Sequence, residues 1–226
     1  MAAKTDEGHL SPAVIEGEMR PMLVGVMVSI VLISLIAWNI TWMRLTFTSP
    51  EFDLIDNAEA HINLESTNIT VELTDELGLD QWSKSVEFQN DGCGGTSNQA
   101  FRCQERKDAS FAAHAALATT IVTAGLVLFG TWPRRFQTPA EFRFLRFVPS
   151  VTIITSGIVW LLMMFGGSES VRLESDLIGA FDDLPALPET MPIETSVFFL
   201  GPTLTILTGL ATIAALHLGD RIQRTG

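Results

Sequence analysis

Cys93 and Cys103 are the only two thiols of the chain, and nine residues separate them. Gly92, Gly94, Gly95, Ser97 and Asn98 around and between them supply turn-forming backbone. In an oxidising compartment such a pair closes a disulfide. A loop this short gains roughly 2–3 kcal/mol from the restricted unfolded chain. A metal centre is the poorer reading, because His61 and the neighbouring acids complete no ligand spacing, and no cofactor is expected. His61 lies in an acid-rich stretch where hydrolytic chemistry is conceivable. General acid–base work needs groups that converge. The acids here are scattered, and neither His-x-x-x-His nor Gly-x-Ser-x-Gly occurs. The expectation is a protein that is not an enzyme. His114 falls inside an apolar run, where an ionisable group is a functional candidate by default. Its shallow position favours a neutral histidine hydrogen-bonded within the packing.

The elements that carry these residues follow from how the charge is distributed. Of 226 residues 47% are hydrophobic, yet 26 acids stand against 14 lysines and arginines, a net charge of −12. The two populations are segregated. Apolar residues fill four blocks at 22–43, 109–132, 147–166 and 192–218, each long enough for a helix crossing a ~30 Å hydrocarbon core. Between them lie the acidic segment 44–108, the basic loop 133–146 and a second acidic loop at 167–191. Polar tails occupy 1–21 and 219–226. The fold class expected is an all-α membrane bundle of four transmembrane helices, with a small antiparallel β-sheet module in the first extracellular loop. The first block is too long for a signal-peptide core and lacks a small-residue cleavage site after it, so it reads as a retained anchor.

In 44–108, thirteen acids against five basic residues place most of the net charge in one segment. Ile62 and Leu64 alternate with Asn63, Ile69, Val71 and Leu73 with Thr70 and Glu72, and Val86 and Phe88 with Glu87. This is the period of half-buried strands. The basic loop holds Arg134, Arg135, Arg143 and Arg146 against Glu141. The positive-inside rule makes that loop cytoplasmic. Both termini then lie in the cytoplasm, and both acidic loops lie outside a plasma membrane crossed several times. The four arginines are placed for contact with lipid phosphate or a cytoplasmic partner. Trp38, Trp42 and Trp132 are expected as interfacial anchors, the first two sharing a helix face. Gly201-Pro202 is expected to kink the fourth span. Asn68-Ile69-Thr70 is a possible N-glycosylation acceptor. No basic tract supports nucleic-acid binding.

Span, long outer loop with Cys93 and Cys103, span, basic inner loop, span, shorter outer loop, span: this order resembles the claudin and peripheral-myelin-protein-like four-helix family. Gly78-Leu79-Asp80-Gln81-Trp82 is similar to the family's tryptophan motif, although ten residues here separate Trp82 from Cys93 where the family has two. Arg106 or Lys107 stands where the family has a basic residue ahead of its second span. The resemblance implies a left-handed four-helix bundle under an outer β-sheet. It also implies a role in cell–cell contact or barriers, or as an accessory subunit of a channel. The functional expectation is a non-catalytic surface-interaction or accessory membrane protein, its partners being the lipid bilayer and itself or another membrane protein. The alternative is a cation channel or transporter component with an acidic extracellular vestibule. Against that alternative, no Asp, Glu, Lys or Arg lies deep in any of the four blocks.

Overall fold

A computed structural model describes residues 12–48, 55–73, 81–87, 98–131, 144–165 and 194–225. These residues form helices α1 (Pro12–Asn39), α2 (Asn98–Thr131), α3 (Val148–Phe165) and α4 (Leu200–Thr225). They also form strands β1 (Met43–Thr48), β2 (Ile55–Ile62), β3 (Ser66–Leu73), β4 (Gln81–Glu87) and β5 (Glu194–Phe198). Three of the helices contain stretches long and apolar enough to cross a membrane, at Pro21–Asn39, Arg106–Gly130 and Leu200–Gly219. The fourth apolar stretch, Val148–Met164, is shorter. Large apolar side chains, among them Leu32, Val122, Phe129, Leu162 and Leu207, are turned outward on all four helices. That is the surface a helix presents to lipid rather than to water.

Hydroxyl-bearing residues sit inside these helices at little cost because their side chains bond back to their own backbone. Ser34 Oγ donates to the Ile30 carbonyl, Thr119 Oγ1 to Ala115 and Thr212 Oγ1 to Thr208. α2 packs on α3 and α3 on α4, while α1 contacts both α2 and α4 and barely touches α3. The four helices thus stand at the corners of a square. α2 is the longest, with 34 residues and a length of about 51 Å, so its first turns rise beyond its apolar stretch.

The five strands make one antiparallel sheet in the order β4-β3-β2-β1-β5. Alternation decides its two faces. Met43 and Leu45 pair with Ile62 and Ala60 and point toward the helices, all four buried. Arg44 and Thr46 pair with His61 and Glu59 on the far face. The small antiparallel sheet expected from the alternation is present. Leu64 is not part of a strand. It sits in the hairpin between β2 and β3, which is closed by the Asn63 N–H donating to the Ser66 carbonyl at 2.8 Å.

Several boundaries differ from the sequence expectation, each for a local reason. α1 stops at Asn39, whose Nδ2 donates to the Leu35 carbonyl at 2.8 Å and satisfies a helix-end acceptor. Met43 therefore begins a strand rather than ending a span. α1 also starts at Pro12 and α4 runs to Thr225, so parts of both polar tails are helical. Residues 194–198 belong to β5, which pairs with β1 from Arg44↔Phe198 to Thr48↔Glu194. The last helix consequently opens at Leu200, not Pro192. Gly201-Pro202 then falls in the first turn, where a missing N–H leaves no bond unmade, so it begins the helix rather than kinking it.

Candidate functional site

The described residues with chemical potential gather where the sheet meets the helix ends. The chain leaves α1 and turns directly into β1, and Trp42 is the pivot. Its N–H donates to the Ile62 carbonyl at 2.8 Å, joining the turn to β2. Its indole Nε1 donates to the Ala37 carbonyl at 2.7 Å. The ring is 0% exposed and lies 5.4 Å, centroid to centroid, from Trp160 of α3. Gly201 supplies the third wall: a Cβ there would stand 2.5 Å from Trp42 Cγ. Around this indole the buried core draws Ala37, Met43, Leu45, Ala60, Leu64, Ala113 and Ile153 together from helices and sheet alike.

Trp42 is therefore not an interfacial anchor. It lies past the end of α1, shares no helix face with Trp38, and is fully buried with its ring N–H satisfied. Trp38 remains half-buried on α1 against the same core. Trp132 lies outside the described residues, as do Arg134, Arg135, Arg143 and Cys93. Cys103 belongs to the backbone of α2. Arg146 is only 5% exposed, with its guanidinium 5.0 Å from the Phe147 ring centroid. It packs into the base of α3 instead of presenting itself to lipid phosphate. Packing of its stem and a ring contact explain why an arginine can sit there.

A second contact clamps the sheet to α2. The Ser110 hydroxyl donates to the Leu64 carbonyl at the tip of the β2–β3 hairpin. One turn further along α2, the His114 Nδ1 donates to the Ser110 carbonyl at 2.9 Å. Its Nε2 faces the Glu65 carboxylate at 4.0 Å, and its ring meets Trp38 edge-on at 4.7 Å. Hydrogen bonding and packing are thus the surroundings His114 was expected to have. A carboxylate partner was not foreseen, since Glu65 comes from a loop and not from another helix.

On the far face of the sheet, Glu59 joins two basic groups. Its Oε1 accepts from Arg44 Nη2 at 2.5 Å, and its Oε2 lies 3.1 Å from His61 Nε2. A histidine held by a carboxylate is half of a general-base arrangement. Among the described residues, no hydroxyl or thiol pairs directly with His61. Directly across from His61 stand Arg44 and Asn68. Ser85 pairs with Asn68, two strand spacings or about 10 Å from His61. Among the described residues, the hydroxyls that the register brings closest on this face, Thr46 and Thr70, stand opposite Glu59 and not opposite His61. Asn68 lies mid-strand in β3 with a half-exposed side chain. Thr46, Thr70, Ser83 and Ser196 extend this face as a polar surface.

Between α1 and α4 runs a groove of about 450 Å³ lined by Gly25, Ser29, Ile33, Thr208, Ala211 and Ala215 among others. Two hydroxyls on its walls bond back to their own helices: Ser29 Oγ donates to the Gly25 carbonyl and Thr212 Oγ1 to the Thr208 carbonyl. No group of three or more metal-ligating side chains occurs among the described residues. No protein-family model matches the chain, and no curated protein matches it.

Proposed function

We propose that the chain is a non-catalytic integral membrane protein that holds a rigid sheet outside the cell membrane for contact with itself or with another membrane protein. In this reading all four helices cross the bilayer, the termini are cytoplasmic, and a Cys93–Cys103 disulfide pins the end of the long outer loop. The role is that of an adhesion, barrier or accessory subunit, as the resemblance to claudin-like proteins implies.

One observation carries the proposal. Both long loops contribute strands to a single sheet, and Trp42 and Ser110 fix that sheet to the helix ends. A flexible loop needs no such seat, whereas a surface that docks on a partner gains affinity from being preorganised. The polar far face and the sheet's outer strands β4 and β5 are the parts available to a partner, by side-chain contact or strand pairing.

The test is extraction from the native membrane in a mild detergent, followed by mass spectrometry of what accompanies the protein. A stoichiometric membrane partner, or a homo-oligomer that Arg44 or Ser83 cross-linking variants trap across copies, is the expected result. A monomer under every mild condition would sink the proposal. A homo-oligomer would also call for an ion-flux assay in liposomes, where leak above empty vesicles would favour a channel instead.

A further inference from the structure

We propose that the outward faces of α2 and α4 form a lipid-facing band matched to a thin bilayer, with a hydrocarbon core of about 27 Å. This rests on the membrane reading above and names the kind of bilayer that fits it. Among the described residues, the first and last large apolar side chains turned outward on α2 are Phe111 and Phe129. On α4 they are Leu200 and Leu218. In each helix the two lie 18 positions apart. Eighteen residues are five turns of an α-helix, so each pair shares one line along its helix, about 27 Å from end to end. Val122 and Leu207, also turned outward, fall within about 20° of the same lines. α2 and α4 occupy opposite corners of the square, so two faces on opposite sides of the bundle give the same length.

The outer ends of the two lines lie at one level. Phe111 follows Ser110, whose hydroxyl holds the hairpin tip, and Leu200 precedes Gly201, which packs on Trp42. Both stand where the sheet is seated, so the band begins directly beneath the sheet. Outward of Phe111 come Lys107 and Asp108, both exposed. A lysine carries its ammonium to a headgroup along its long stem, but an aspartate is too short for that, so lipid stops before Asp108. The apolar stretch of α2, Arg106–Gly130, has 25 residues, about 37 Å. The turn and a half before Phe111 is the part that stays out of hydrocarbon. At the other boundary, Asp220 follows Leu218 by two positions. The remaining helices fit the same slab: α3 has 18 residues and the apolar stretch of α1 has 19, about 27 to 29 Å. A sterol-rich bilayer of about 32–33 Å exceeds the band by about one helical turn.

The test compares the full chain in nanodiscs with hydrocarbon cores of about 27 Å and about 33 Å. Phe111→Cys, Val122→Cys and Leu218→Cys each place one new thiol at an exposed position. A water-soluble maleimide reads its depth, because the thiolate is the reactive form and it forms in water. Peptide mass spectrometry scores the added cysteine separately from Cys93 and Cys103. In the thin bilayer Phe111→Cys and Leu218→Cys should label roughly ten-fold faster than Val122→Cys, or more. In the thick bilayer their rates should fall toward that of Val122→Cys, and the unsubstituted chain should unfold roughly 2–6 °C lower. Labelling at 111 and 218 as slow as at 122 in the thin bilayer, or an unfolding midpoint no lower in the thick one, would overturn the thickness and leave membrane crossing intact. Fast labelling at all three positions would instead overturn the membrane reading, and the thickness with it.

Discussion

The seam between α3 and α4 and the seam between α1 and α4 are built from the same small residues, and only one of them is closed. At Gly157 a Cβ would stand 2.6 Å from Thr205 Oγ1 and 2.9 Å from the Pro202 carbonyl. At Gly209 it would meet Ile154 and stand 2.7 Å from the Ser150 carbonyl. Backbone approaches backbone at both places. Gly25, on α1, has nothing within 4 Å of the same position and lines the open groove instead. Small residues permit close packing of helices in lipid without enforcing it. What closes a seam is the complementary surface opposite. Ile154 and Thr205 fill the notches of the first seam, whereas α1 and α4 face each other across Gly25, Ser29, Ala211 and Ala215, which leave space.

Trp42→Ala should do the most damage, because it opens a closed seam from within. The indole is the wall that Gly201 fits against, and its loss leaves a cavity beside Trp160. Large-to-small changes of this kind cost about 3–5 kcal/mol. Thermal unfolding in detergent should report the loss. Limited proteolysis should show the sheet cut earlier than the helices, since the seat goes before the bundle does. Equal protection of sheet and helices would mean that Trp42 does not join them.

Gly209→Val comes next and wedges the α3–α4 seam from outside. The obstacle includes the Ser150 backbone, which cannot rotate away. Overpacking of this kind costs about 1–3 kcal/mol, read as a lower unfolding midpoint. Thr120→Val is smaller. The Thr120 hydroxyl donates to Thr152 Oγ1 at 2.9 Å, linking α2 to α3. Interhelical bonds of this type contribute about 0.6 kcal/mol on average in membranes. Thr152 keeps its own bonds to Val148 and Pro149, so nothing buried is stranded by the change.

These contrasts also mark what the sequence discloses. The four apolar blocks and the alternation at Ile69, Val71 and Leu73 are local patterns, and each appears as an element. β5 was legible too. Glu194-Thr195-Ser196-Val197-Phe198 is rich in β-branched and aromatic residues, and Gly201-Pro202 is a helix start. Hydropathy alone merged it with the span. Arg44-Leu45-Thr46-Phe47-Thr48 alternates equally clearly, immediately past the expected end of the first span at Met43. The joint itself is not legible. Nothing local tells that Leu64 will reach Ser110 across 46 residues of chain, or that Glu65 will face His114. Nor does spacing distinguish Gly25 from Gly209, since the difference lies in what another helix brings opposite.

Gly25→Ala is the smallest expected effect and the sharpest control on the comparison, when paired with Gly209→Ala. Both substitutions add one methyl to a helix interior, and both gain up to about 1 kcal/mol of helix propensity over glycine. The intrinsic term is therefore shared, and the difference between the variants isolates the seam. At Gly25 the new methyl enters open space, so stability should hold or rise slightly. At Gly209 it meets Ile154 and the Ser150 carbonyl, so stability should fall despite the same gain. If both variants were neutral, α3 and α4 would slide apart at little cost and the closed seam would be no constraint. If both were destabilising, the α1–α4 groove would be filled in the membrane, and the methyl at Gly25 would be displacing whatever fills it.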